Sequence, residues 1–163
     1  MFRSLQERPK FKGKTVVLVD VSGSMAGKVS GKSDISRLDA AAGVAIVVRE
    51  LCDDAHVFIF STQVRQVPAR RGFALRDAIG WAAGGTHLGA AVKAMNGYGY
   101  DRLLVFTDEQ SMDPVGAPVG KQAYMINVAA NRNGVGYGKW NHIDGWSEAV
   151  IDYIQYAEAE GLE

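Results

Sequence analysis

The chain has 163 residues, a length that suits one domain able to bury about 70% of its unfolded surface. Lys and Arg total 18 and Asp and Glu total 18, so the formal charge is zero, which argues against a free-standing nucleic-acid binder with a basic footprint. No apolar run approaches the roughly 20 residues needed to span a bilayer, and the single Cys52 excludes an internal disulfide, as suits a cytoplasmic protein. Residues 1–14 are polar and basic, without the apolar centre of a signal peptide, and read as a leader or linker. Leu162-Glu163 could be a cloning remnant.

Residues 15–20 form the first expected strand, because Thr15-Val16-Val17-Leu18-Val19 is short, apolar and β-branched, as a buried parallel strand should be. A Gly/Ser/Lys loop over 21–33 lacks hydrophobic periodicity. Asp34 is the expected cap of a helix over 35–51, with Ile35, Leu38, Ala42, Ala45 and Val48 on one face and Gly43 allowing close approach to a sheet. Strands follow over 56–60 and 63–67. The short Ser61-Thr62 connection makes the latter an antiparallel edge strand, which Pro68 stops. Helices are expected over 73–83, ended by Gly84-Gly85, and over 88–95, closed by Asn96-Gly97. Strands over 102–107, 122–127 and 140–143 precede a last helix capped by Ser147 and running through Ile151, Ile154 and Ala157. Alternating strands and helices predict an α/β fold: a three-layer Rossmann-like sandwich, its sheet mostly parallel with one antiparallel edge strand.

Open α/β sheets build their sites at the carboxyl ends of strands. Three segments would meet there: Asp20, Ser22 and Ser24 after the first strand, Gly84-Gly85-Thr86, and Thr107-Asp108 after the fourth. Two carboxylates balance a dication, while neutral hydroxyls fill further positions without over-neutralising it. Mg²⁺ accepts such a sparse oxygen set, keeping several waters, with Mn²⁺ or Ca²⁺ as alternatives. A metal held this way stays electrophilic, and its open position should attract an Asp or Glu carboxylate from a protein partner. Gly84 and Gly85 would let the backbone turn Thr86 toward the metal.

Asp20-x-Ser22-x-Ser24, Gly84-Gly85-Thr86 and Thr107-Asp108 together resemble the metal-ion-dependent adhesion site of von Willebrand factor A domains. The resemblance covers nearly the whole chain and implies an A domain over 15–161. It implies that Ser22, Ser24 and Thr86 ligate through hydroxyls while Asp20 and Asp108 act partly through water. A closer resemblance, on residues 20–25, 106–110, 127–129 and 143–148, is to the A domain of Ro60/TROVE proteins. In that family the A domain accompanies a ring of helical repeats that binds small non-coding RNA. The ring has no counterpart here, so RNA would be reached only through a parent protein. The resemblance thus implies an excised carboxyl-terminal domain, with a stand-alone bacterial A-domain protein as the alternative.

Other features have plainer readings. His87 beside Thr86 suits a neighbouring or surface group, Cys52 a packed thiol at a helix end, and Arg70-Arg71 a solvated loop. Gly134-Val135-Gly136-Tyr137-Gly138-Lys139 lacks the Ser or Thr of a phosphate loop, since Trp140 follows, and no helix comes after it. Gly23-Ser24 lacks the glycines of a nucleophile elbow. No evident general base accompanies the site, so the expectation is a binding module that is not an enzyme. A metal-assisted hydrolase stands as the less favoured reading.

Overall fold

In the computed structural model, residues 11–28, 34–81, 83–108, 114–120, 122–128, 140–144 and 149–159 are described. The apolar runs form the strands β1 (Phe11–Asp20), β2 (Cys52–Phe60), β3 (Val64–Gln66), β4 (Arg102–Thr107), β5 (Gln122–Asn127) and β6 (Asn141–Asp144). They join in one sheet of order β3-β2-β1-β4-β5-β6. Only β3 pairs antiparallel, as the short link after Phe60 demands, and it lies at the sheet edge. The expected mostly parallel α/β sandwich is the fold observed.

Among the described residues, four α-helices cover the sheet: α1 (Arg37–Leu51), α2 (Gly72–Ile79), α3 (Leu88–Tyr98) and α4 (Ala149–Ala159). Strand alternation sends Val17, Val19, Leu104 and Phe106 to one face, where they pack with Leu38, Ala45 and Val48 of α1 and Ile151 and Ile154 of α4. Val16, Leu18, Leu103 and Val105 turn to the other face and meet Leu88, Val92 and Met95 of α3. Both faces of β4, and of β1 from Thr15 onward, are therefore dry, which explains the apolar runs over 15–19 and 103–106. No helix among the described residues is long and apolar enough to cross a membrane.

Several boundaries differ from those expected, each for a local reason. β1 starts at Phe11 rather than Thr15, because Phe11 is buried and pairs with Cys52. Ser36, not Asp34, caps α1: its side chain accepts from the Asp39 amide at 3.0 Å. Ile35 precedes that helix and is 41% exposed, and Gly43 is exposed, so the small buried residues facing the sheet are Ala41, Ala42 and Ala45. α2 stops at Gly80, whose φ of 83° a side chain would disfavour, well before Gly84. α3 continues through Asn96-Gly97 to Gly99, whose amide closes on the Met95 carbonyl at 3.0 Å. Cys52 opens β2 instead of ending the helix, but it is buried as a packed thiol. β6 begins at Asn141, after Trp140. The expected cap Ser147 and the loop over 134–139 lie outside the described residues.

At the amino-terminal edge of the sheet, a buried Arg102 fastens α4 to β4 and β1. Its guanidinium donates to both carboxylate oxygens of Glu158, at 2.6 and 2.5 Å, and to Thr15 Oγ1 at 2.8 Å. Burial, then the Glu158 carboxylate, pushes the Tyr124 hydroxyl up, keeping it a donor to Glu158. Removing one partner of such a pair leaves a charge buried and unpaired, at a cost of about 3–5 kcal/mol. Glu158→Ala should therefore destabilise the protein by about 3 kcal/mol in urea denaturation, and a loss below about 1 kcal/mol would contradict this role for the ion pair.

Candidate metal centre

The chain leaves β1 toward β2 on one side of the sheet, whereas β4 lies against β1 on the other. The carboxyl ends of β1 and β4 thus flank a topological switch point, the crevice where open α/β sheets bind ligands. Asp20 is the last residue of β1 and Asp108 directly follows β4. Pairing of Val19 with Phe106 brings Asp20 beside Thr107 at the next step. All five expected site residues lie on loops or strand ends at this edge.

Asp20 is fully buried and held on both oxygens. Oδ1 accepts from the Ser22 amide at 2.8 Å, and Oδ2 from the Thr107 hydroxyl at 2.8 Å. The first bond folds the chain back after the strand, as an Asp two residues before a turn does. It brings the Ser22 and Ser24 hydroxyls to 3.3 Å from each other, Ser22 ahead of and Ser24 within the short 3₁₀ turn Gly23–Ala26. The sequence places Thr107 beside Asp108 at the site without showing that Asp20 is its partner. Its hydroxyl ties β4 to β1 through a carboxylate.

Thr86 arrives by a second loop, stitched to the first by backbone bonds. The Gly23 amide donates to the Gly84 carbonyl at 2.9 Å, and the Ala83 amide to the Val21 carbonyl at 2.8 Å. Gly84 makes the turn with φ of 85°, a conformation L side chains rarely adopt. Thr86 is 4% exposed, next to α3.

Asp108 is fully buried, and Arg37 Nη1 donates to its Oδ2 at 3.1 Å. The same nitrogen donates to the Ser24 carbonyl at 3.2 Å, and Nε to the Lys28 carbonyl at 3.3 Å. Arg37 escaped the sequence reading although one signal pointed to it. A basic residue at the first position of a helix opposes the helix dipole and needs an anionic partner elsewhere.

The expected donors are hard oxygen throughout: carboxylates of Asp20 and Asp108 with hydroxyls of Ser22, Ser24 and Thr86. That chemistry fits Mg²⁺ or Mn²⁺ better than a soft metal. Burial pushes the Asp20 carboxyl up to about 6, with the nearby Asp108 carboxylate adding to the rise and the Ser22 and Thr107 bonds opposing it. A carboxyl that ionises more reluctantly when folded than unfolded stabilises the fold fully at low pH. That contribution is lost as pH rises through about 6. In EDTA, the stability of the wild type relative to Asp20→Asn should therefore fall between about pH 4 and pH 7. Urea denaturation at each pH measures it, and a difference that stays flat or rises would contradict the buried, reluctant carboxyl.

No family model matches the sequence, and no curated protein sequence matches it. Among solved structures, the crystal structure of the Deinococcus radiodurans Ro (RSR) protein is similar, with a TM-score of 0.63 and 22% identity. The match covers 93% of this chain and 35% of that one, so the chain spans about a third of the protein it resembles. Nearly the whole of this chain thus shares the fold of one segment of a Ro protein.

Proposed function

We propose that this chain is a divalent-metal-dependent protein-binding module, of the metal-ion-dependent adhesion type, within a Ro60/TROVE-like protein. The observation that carries the reading is the hydrogen-bonded Asp20 at the switch point, with the Ser22 and Ser24 hydroxyls gathered beside it. Ser22, Ser24 and Thr86 would hold Mg²⁺ through hydroxyls, and Asp20 and Asp108 would balance its charge. Bound there, the metal supplies an electrophilic position for an Asp or Glu side chain of a protein partner. Mn²⁺ or Ca²⁺ would serve the same donors. Small non-coding RNA would be met through the parent protein, in the cytoplasm, and not by this neutral domain.

Binding is favoured over hydrolysis for a specific reason. Asp20 accepts from Ser22 and Thr107 on its two oxygens and Asp108 accepts from Arg37, so both carboxylates serve to hold the loops of the site together. The module would grip a carboxylate without turning it over.

A metal that binds only the folded state raises stability by mass action, about 2.7 kcal/mol at a hundredfold excess over Kd. For a domain of this size that corresponds to a melting-temperature rise of roughly 5–10 °C. Saturating Mg²⁺ or Mn²⁺ should produce it in the wild type and not in Asp20→Ala; equal melting with and without metal would sink the metal centre. For the partner, peptides selected from a random display library in Mg²⁺ should converge on an Asp or Glu and release in EDTA. Selected peptides without an acidic residue, or retained in EDTA, would contradict carboxylate capture.

A further inference from the structure

Arg37 stands inside the proposed centre, and the metal reading alone does not require it. Its guanidinium is mostly enclosed, with 18% of the side chain exposed, and it rests on an Asp108 carboxylate with no exposure. One nitrogen, Nη1, serves both Asp108 Oδ2 and the Ser24 carbonyl. The guanidinium therefore links the two segments that a metal would link: the loop after β1 and the end of β4. The Lys28 carbonyl takes Nε and fixes the direction of approach. A cation at the amino end of α1 works against the helix dipole, so these acceptors must outweigh that cost.

We infer that Arg37 is a built-in competing cation, which shares Asp108 with the metal and so sets how tightly the centre holds it. The inference rests on the metal-binding reading and deepens it. With Asp20 and Asp108 ionised, a dication cancels both charges and Arg37 leaves the loaded centre at +1. A net positive site selects an anionic group from a partner. Without metal, Arg37 keeps one of the buried carboxylates paired and the two loops joined. The guanidinium and any dication engaged by Asp108 repel each other across one carboxylate. Even with strong screening, that repulsion should weaken metal binding by about tenfold.

Mn²⁺ binding followed by electron paramagnetic resonance tests this in the wild type, Arg37→Gln and Arg37→Lys, with folding checked by circular dichroism. Removing the charge should tighten Mn²⁺ binding by about tenfold, whereas Lys, which keeps the charge, should stay near the wild type. In EDTA, Arg37→Gln should melt below the wild type, and saturating Mn²⁺ should narrow the gap. If Gln does not fold, Arg37→Met, which keeps the apolar stem, carries the same comparison. Wild-type binding that Arg37→Gln leaves unchanged or weakens would overturn competition while leaving the metal centre standing. Binding by Arg37→Gln but not by the wild type would support competition and refute a working centre in the native chain. Binding by neither would refute both.

Discussion

The candidate site at the carboxyl ends of β1 and β4 depends on one buried carboxylate. Burying Asp20 without partners would be prohibitive, so its two oxygens must each find a donor. The donors available are the Ser22 amide and the Thr107 hydroxyl, each at 2.8 Å. The first sets the shape of the loop after β1, and the second locks that loop to β4. From this the positions of Ser22 and Ser24 follow, and through Gly23 so does the second loop, whose Gly84 carbonyl receives the Gly23 amide. A single residue thus coordinates three segments that are distant in sequence.

The same residue makes the site unfinished in an electrostatic sense. Hydrogen bonds satisfy Asp20, yet burial and the neighbouring Asp108 still push its carboxyl up to about 6. An environment that resists ionisation while gathering oxygens is one that a dication would relieve. Arg37 answers half of the problem by pairing with Asp108. Among the described residues the donors to Asp20 are an amide and a hydroxyl, with no such cation. The asymmetry between the two carboxylates separates a framework residue from one that a mobile ligand and a fixed side chain would share.

Much of the fold was legible because it rests on short-range patterns. Short apolar runs announced β1, β4 and β5, and the short link after Phe60 announced the antiparallel edge. Boundaries were less legible where two residues of the same type competed. Gly80 ended α2 before Gly84 could, and Ser36 capped α1 in place of Asp34, because φ and hydrogen bonding choose among equivalent residues. The five candidate site residues were legible as a set because their residue types and strand-end placement coincide in the sequence. Arg37 and Thr107 were not assigned roles, since their contacts to Asp108 and Asp20 span 71 and 87 residues and leave no local pattern. Long-range polar pairing is what a single sequence conceals most effectively.

The direct test of the centre is a crystal structure of the protein grown with Mn²⁺, with anomalous scattering used to locate the metal. A single peak with the Ser22, Ser24 and Thr86 hydroxyl oxygens at about 2.0–2.2 Å is the expected result. A chain that crystallises in Mn²⁺ with no peak at the β1–β4 switch point, or with its only peak elsewhere on the surface, would contradict the metal centre.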